Sequence, residues 1–188
     1  IITKVKSGNY IVFFPSYQYL QMVVDALGET DFDVIIQKSG DTEEIRNTII
    51  EQFKDTETCK VGFFVLGGVF GEGIDLIGDW LTGVVIVGVG LPMFCDENNI
   101  LKDYFEEKYE NGFDYAYTYP GFTKVVQAVG RVIRSEKDRG IVLLIDERFT
   151  YFKYQELMPR HWTNKKIITD SYYLEKELRL FFKGDKES

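Results

Sequence analysis

Residues 10–28 read Tyr-Ile-Val-Phe-Phe-Pro-Ser-Tyr-Gln-Tyr-Leu-Gln-Met-Val-Val-Asp-Ala-Leu-Gly. The first five are apolar, β-branched and aromatic, the composition of a buried strand. From Tyr17 onward the apolar side chains return at helical intervals, through Leu20, Val23, Val24 and Leu27, until Gly28 stops the run. A strand followed by a helix is a β-α unit, and the rest of the chain repeats it. Val34–Gln37 predicts a second strand. Asp41, with Glu44 three residues on, predicts the N-cap of a helix carrying Ile45, Ile49 and Phe53. Val61–Leu66 and Thr82–Val89 predict two more strands, apolar almost throughout, as parallel strands covered on both faces require. Ile141–Ile145 predicts a fifth. A polar helix is expected over Asn99–Glu110, with Leu101, Tyr104 and Phe105 turned inward and Gly112 ending it. Another is expected from about Phe122 to Arg134, introduced by Tyr119-Pro120-Gly121. Such alternation builds a mainly parallel sheet with helices on both faces, an α/β fold in three layers.

Beyond Phe149 the pattern weakens to a loop and a closing helix, Asp170–Phe182, whose Leu174, Leu178, Phe181 and Phe182 form a packing stripe. The chain has 188 residues, 45% of them apolar and 15% aromatic, which suits one domain with a substantial core and excludes disorder. Its net charge of −8 does not advertise a nucleic-acid partner. Positive charge is nevertheless concentrated at Lys124, Arg131, Arg134, Lys137 and Arg139, a local patch on an acidic body. The acids cluster in Thr42–Glu57 and Asp96–Glu110, where solvated helix faces are expected. Cys59 and Cys95 stand in no ligand spacing and read as small near-core residues of a reducing compartment. His161 has no second histidine with which to hold a metal. No leader and no apolar run approaching ~18 residues occurs, so neither a secretory signal nor a membrane span is expected. The chain begins Ile1-Ile2 rather than with Met, as a piece of a longer polypeptide would.

Two segments carry chemistry. In Gln127-Ala-Val-Gly130-Arg131-Val-Ile-Arg134 a pair of guanidiniums lies three residues apart after a glycine. On a helix that spacing puts both on one face, where an arginine fork suits a transferring phosphoryl group. Two solvated surface arginines are the plainer alternative. Gly67-Gly68-Val69-Phe70-Gly71-Glu72-Gly73-Ile74-Asp75 follows a strand, but its glycines do not fit the dinucleotide fingerprint. A tight strand-to-loop turn at positive φ accounts for some of it. Ser16 and Tyr17 close the first strand at its carboxyl end, where open α/β sheets place ligands. A hydroxyl and an aromatic there can bond a phosphate and stack on a base. An N-cap serine beside a partly buried tyrosine explains the same residues.

Together these segments resemble motifs IV, V and VI of superfamily 2 helicases of the XPD/DinG type. Ile11–Tyr17 resembles motif IV, Gly67–Asp75 motif V and Gln127–Arg134 motif VI, and Asp138-Arg139-Gly140 and Asp146-Glu147-Arg148-Phe149 match the family's continuation. The resemblance spans about Gly8 to Phe149. It implies a RecA-like three-layer α/β/α fold, and a chain that is the second motor domain of an ATP-dependent DNA helicase. By it, Arg134 is the principal arginine finger, Arg131 its partner, and Gln127 bonds the γ-phosphate or the attacking water. Asp75, with Glu72, Gly73 and Gly130, lies on the nucleotide side. Ser16, Tyr17, Gly68 and Val69 lie along single-stranded DNA. Asp146-x-Arg148-Phe149 is structural. The resemblance further implies 5′ to 3′ movement, a role in DNA repair or replication-linked unwinding, and a cytoplasmic, nucleoid-associated or otherwise intracellular setting.

No G-x-x-x-x-G-K-[ST] occurs, and no Asp-Glu-x-His follows a strand, so this chain lacks its own Walker A lysine and magnesium site. ATP with Mg2+ is therefore expected to be held mainly by an upstream RecA-like domain of the same polypeptide, and the isolated domain is expected to be inactive. The four cysteines of the family's iron-sulfur cluster belong to its other half and are absent from this segment. Two alternatives from other classes remain at this point. One is a non-catalytic RecA-like module binding nucleic acid or a partner. The other is a metal-dependent nuclease using Glu72, Asp75, Asp146 and Glu147.

Overall fold

The computed structural model describes residues 1–68, 80–132 and 139–183. Five parallel strands, β1 (Tyr10–Phe14), β2 (Asp33–Ile36), β3 (Lys60–Val65), β4 (Gly83–Val87) and β5 (Ile141–Ile145), form one sheet in the order β2-β3-β1-β4-β5. The helices are α1 (Ile2–Val5), α2 (Tyr17–Ala26), α3 (Glu43–Lys54), α4 (Asp96–Tyr109), α5 (Tyr119–Val129), α6 (Phe152–Leu157) and α7 (Ser171–Lys183). Side chains alternate across the sheet as the pleat requires. Ile11 and Phe13 of β1, Phe64 of β3 and Val84 and Ile86 of β4 join Ile49 and Phe53 of α3 and Phe122, Val125, Ala128 and Val129 of α5. On the opposite face Tyr10, Phe14, Val61, Phe63 and Val65 meet Leu20 of α2 and Leu178 of α7. The architecture is thus a three-layer α/β/α fold with a parallel sheet, as expected. The stripe on the closing helix is core.

Several local expectations are corrected. Thr42, not Asp41, caps α3, its Oγ1 accepting from the Ile45 N–H. The Asp41 carboxylate instead accepts from the Lys38 N–H at 2.7 Å and closes the preceding turn. Helix α4 starts at Asp96 and has no buried residue, with Leu101 and Tyr104 about half exposed. It stands off the sheet because its partner is the next segment: Phe105 stacks on Tyr115 at 4.9 Å, and the Tyr117 hydroxyl donates to Asn99 Oδ1 at 2.9 Å. Glu110, at φ 54°, takes the left-handed position at its end in place of Gly112. The Tyr151–Met158 stretch is not a loop, because it holds α6, which buries Tyr154, with Met158 buried just past the helix end.

A single π-turn, Asp114–Thr118, leads directly into α5. Asp114 is buried, and its carboxylate accepts from Lys153 Nζ of α6 at 2.8 Å. Burial alone would raise the Asp114 pKa. Hydrogen bonds from Lys153, Thr118 and Asn111, with the lysine's charge, more than offset that and hold it below the usual carboxylate range. At the same end of α5 two glycines let backbones touch. A Cβ on Gly121 would lie 2.9 Å from the Gly90 carbonyl, just beyond the carboxyl end of β4. Among the described residues no helix is long and apolar enough to cross a membrane.

Candidate nucleic-acid and nucleotide sites

The chain leaves β1 toward β3 and β2 on one side, then crosses back to β4 and β5 on the other. β1 is therefore the strand at which direction reverses, and the crevice outside its carboxyl end is where such sheets bind ligands. Phe14 ends the strand, paired with Val65, and its carbonyl accepts from the Leu66 N–H at 2.9 Å. Beyond it Ser16 is extended and caps α2, its Oγ accepting from the Tyr19 N–H at 3.1 Å. Ser16 and Tyr17 are both exposed at this end. Ser16 therefore has the structural role of an N-cap and remains exposed.

β3 leaves the sheet beside them through Gly67 and Gly68. Gly67 is at φ +75°, and the Gly68 N–H turns back onto the Val65 carbonyl at 3.1 Å. The positive-φ turn considered for this loop thus falls on Gly67. A Cβ there would also meet the Lys124 side chain, 2.7 Å from Cδ and 3.1 Å from Nζ, so the lysine stem of α5 lies across the glycine. Gln37 completes the group. It is 3% exposed, its Oε1 accepts from the Val65 N–H at 2.8 Å, and its Nε2 donates to the Tyr17 hydroxyl at 2.8 Å. Burial, and the nearby Asp41 carboxylate, raise the Tyr17 pKa and keep the phenol protonated.

The arginine segment lies elsewhere. α5 ends at Val129, short of both arginines, and is followed by tightened turns in which the Arg131 N–H donates to the Ala128 carbonyl and the Val132 N–H to the Val129 carbonyl. Arg131 is half-buried past the helix end rather than on a helical face. Val132 is buried against Gly140, whose Cβ would lie 2.3 Å from its Cγ1, and Gly140 immediately precedes β5. The two ends of α5 therefore serve opposite ends of the sheet. Lys124 stands at the carboxyl end of β3, and Arg131 stands near the amino ends of β4 and β5. Gln127, exposed and three residues from Lys124, shares its helix face. Exposed Gly130 is at φ −61°, ordinary helical backbone. Val69, Glu72, Gly73, Asp75 and Arg134 lie outside the described residues, as does Lys137.

The basic patch read from the sequence is divided accordingly. Arg139 packs its guanidinium over the Phe181 ring at 5.1 Å, on the α7 side and far along the chain from Lys124. Asp146 is spent on structure, its two oxygens accepting from Arg148 Nε at 2.8 Å and Nη2 at 2.6 Å while Oδ1 also caps the turn at the Arg148 N–H. Those hydrogen bonds hold its pKa low despite burial. Phe149 is buried between Phe122 and Tyr154, so the Asp-x-Arg-Phe element pins the end of β5 to α5 and α6. Among the described residues no three His, Cys, Asp or Glu side chains gather as a metal-ligating group. The Cys59 thiol donates to the Gly8 carbonyl at 3.0 Å, and His161 is exposed.

Lys124 and Gln37 were not among the site residues expected from sequence. Lys124 was legible only as one cation in a dispersed patch. Gln37 follows the edge strand β2, and a polar side chain at the carboxyl end of a strand is the available signal.

Comparison with known proteins agrees with this architecture. The family described as helicase C-terminal domain matches residues 1–165. The chain is 32% identical over 153 residues to the ATP-dependent DNA helicase DinG of Photobacterium profundum, covering 77% of this chain and 21% of that protein. It is 28% identical over 163 residues to the XPD/RAD3 helicase subunit of the general transcription and DNA repair factor IIH of Saccharomyces cerevisiae, covering 78% of this chain and 20% of that one. A solved structure of apo XPD superposes with a TM-score of 0.65 at 25% identity, over 83% of this chain and 31% of that chain. The chain thus spans about a fifth of the length of these two curated relatives. With its parallel three-layer fold and the family match over residues 1–165, the chain belongs to the helicase C-terminal domain family, as a RecA-like domain of the XPD/DinG type in superfamily 2.

Proposed function

We propose that this chain is the second motor domain of an ATP-dependent DNA helicase and forms part of a longer polypeptide. The observation that carries the reading is the placement of α5. α5 carries Lys124 near its middle, its stem across the glycine turn, with Gln127 one turn further along the same face and Gly130 and Arg131 just past its end. A movement imposed on the arginine end is passed along this rigid helix to the glycine turn, which is what coupling of nucleotide state to a grip on DNA requires.

The donors at the arginine end, an exposed carboxamide and a guanidinium, suit an anionic phosphate. ATP with Mg2+, held mainly by an upstream RecA-like domain, supplies the phosphoryl group. On this chain Arg134, with Arg131, neutralises charge on it, and Gln127 orients the γ-phosphate or the water. Asp75, Glu72, Gly73 and Gly130 belong to the nucleotide side. At the other end Ser16, Tyr17, Gly68 and Val69 track single-stranded DNA. The isolated chain, without a phosphate-cradling lysine, does not hydrolyse ATP.

The test is ATPase of the intact polypeptide, with and without single-stranded DNA, comparing wild type with Arg134→Ala at matched folding. The reading expects a DNA-stimulated rate that falls by about 10³ to 10⁵ in the variant while ATP binding persists. An unchanged rate refutes the arginine-finger role and leaves a phosphate clamp or a structural pair.

A further inference from the structure

The buried carboxamide of Gln37 has an orientation that its neighbours dictate. The Val65 N–H is a backbone donor at the end of β3, two residues past the last β2–β3 pair, Ile36 with Phe63. Only an oxygen can accept from it, so Gln37 Oε1 must face Val65 and Nε2 must face Tyr17. An NH2 group can only donate. The Tyr17 oxygen is therefore the acceptor in that 2.8 Å bond, and its own hydrogen must point another way. Tyr17 is 39% exposed at the carboxyl end of β1, so the hydrogen is available on the crevice side.

We propose that Gln37 is a positioning residue that fixes the Tyr17 hydroxyl as a hydrogen-bond donor to a backbone phosphate of single-stranded DNA. The inference rests on the nucleic-acid reading given above. An outward O–H selects an acceptor, and the adjoining cation is of matching sense, since Lys124 Nζ lies beside Gly67 in the next turn. A bond to a charged oxygen is also the stronger kind. Gly68 belongs to the same device: a Cβ there would come within 3.3 Å of Gln37 Nε2 and 3.1 Å of the Val65 carbonyl. A larger residue at 68 would press on the amide that aims Tyr17. Burial, and then the charge of the nearby Asp41 carboxylate, whose Oδ2 is engaged by the Lys38 N–H, raise the Tyr17 pKa.

The experiment measures Kd for a fluorescein-labelled oligothymidylate by anisotropy, using the intact polypeptide as wild type, Tyr17→Phe, Gln37→Leu and the double variant. Tyr17→Phe and Gln37→Leu are each expected to weaken binding roughly tenfold, the scale of one hydrogen bond to a charged group. The double variant should be no weaker than either single one. Because Gln37→Leu also strips the acceptor from the Val65 N–H, Gln37→Glu serves as the second variant. It keeps that acceptor but turns the phenol hydrogen inward, so it should add a loss in the tyrosine background beyond the loss it causes alongside Tyr17→Phe. Additive losses, or a Gln37 variant that binds like wild type, overturn the positioning role alone. A wild-type protein that does not bind the oligonucleotide overturns the nucleic-acid reading and this inference with it.

Discussion

Gly121→Ala gives a result whose sign the structure decides. Gly121 lies in the first turn of α5, buried, so helix propensity alone predicts a gain of about 1 kcal/mol for alanine. The added methyl would lie 2.9 Å from Gly90 C and O and 3.0 Å from the Leu91 N. These are backbone atoms, not the far end of a flexible side chain, so α5 and the segment after β4 must separate. Gly90, at φ +73°, has no freedom to yield toward it, because its own Cβ direction points at the Gly121 carbonyl 2.6 Å away. Overpacking of this kind costs up to about 3 kcal/mol. Net destabilisation is then about 2 kcal/mol, and at ~2–4 °C per kcal/mol for a chain of this size the Tm should fall by roughly 4–8 °C. Thermal unfolding followed by circular dichroism measures it. A rise in Tm, the outcome propensity demands, would show that the two backbones are not in contact.

Gly130→Ala should behave oppositely. Its φ of −61° is ordinary, and no atom comes nearer than 3.4 Å to the added methyl, so stability should hold or rise by up to about 1 kcal/mol; a raised KM for ATP in the intact polypeptide would place nucleotide against this backbone. Gly67→Ala puts a side chain at φ +75° and displaces Lys124, so it should cost about 1–2 kcal/mol in urea unfolding and also weaken single-stranded DNA binding. Asp114→Asn should cost about 1 kcal/mol at neutral pH, a modest figure because Lys153 is more than half exposed. The folded Asp114 pKa is depressed, so its contribution is full above the unfolded value near 3.8 and is lost as pH falls through the folded value. The difference between variant and wild type should therefore close at acid pH. A gap that does not narrow as pH falls below the unfolded value would assign the cost to packing.

Strands were the legible part of the fold, because a parallel strand covered on both faces leaves a run such as Val-Gly-Phe-Phe-Val that admits few other readings. Helix ends were legible less well, and for identifiable reasons. Asp41 and Thr42 are both capping residues, and only the turn at Lys38 decides between them. The apolar spacing of α4 resembles a core face, yet its Phe105 and Tyr109 stack on Tyr115 rather than on the sheet, a pairing that periodicity cannot express. At the site, Ser16 and Tyr17 were visible from their place after β1. Gln37 was not, since its role depends on contacts 20 and 28 residues away in sequence. The continuity of motif VI suggested one helix through both arginines, but α5 stops at Val129, where Gly130 and the Val132–Gly140 contact turn the chain toward β5.

The central position of β1 has a consequence for how the chain is made. Its two neighbours are β3 and β4, so Tyr10 must wait for Val61 and Gly83 to find its partners. During synthesis the segment Tyr-Ile-Val-Phe-Phe emerges before both of its partners and remains unpaired until some fifty further residues have followed. Pairing so distant in sequence is slow, and an unpaired apolar strand is the part of a nascent chain most prone to aggregate. Refolding yield should thus be limited by β1, and chaperone dependence should be set by the interval between its emergence and that of β3.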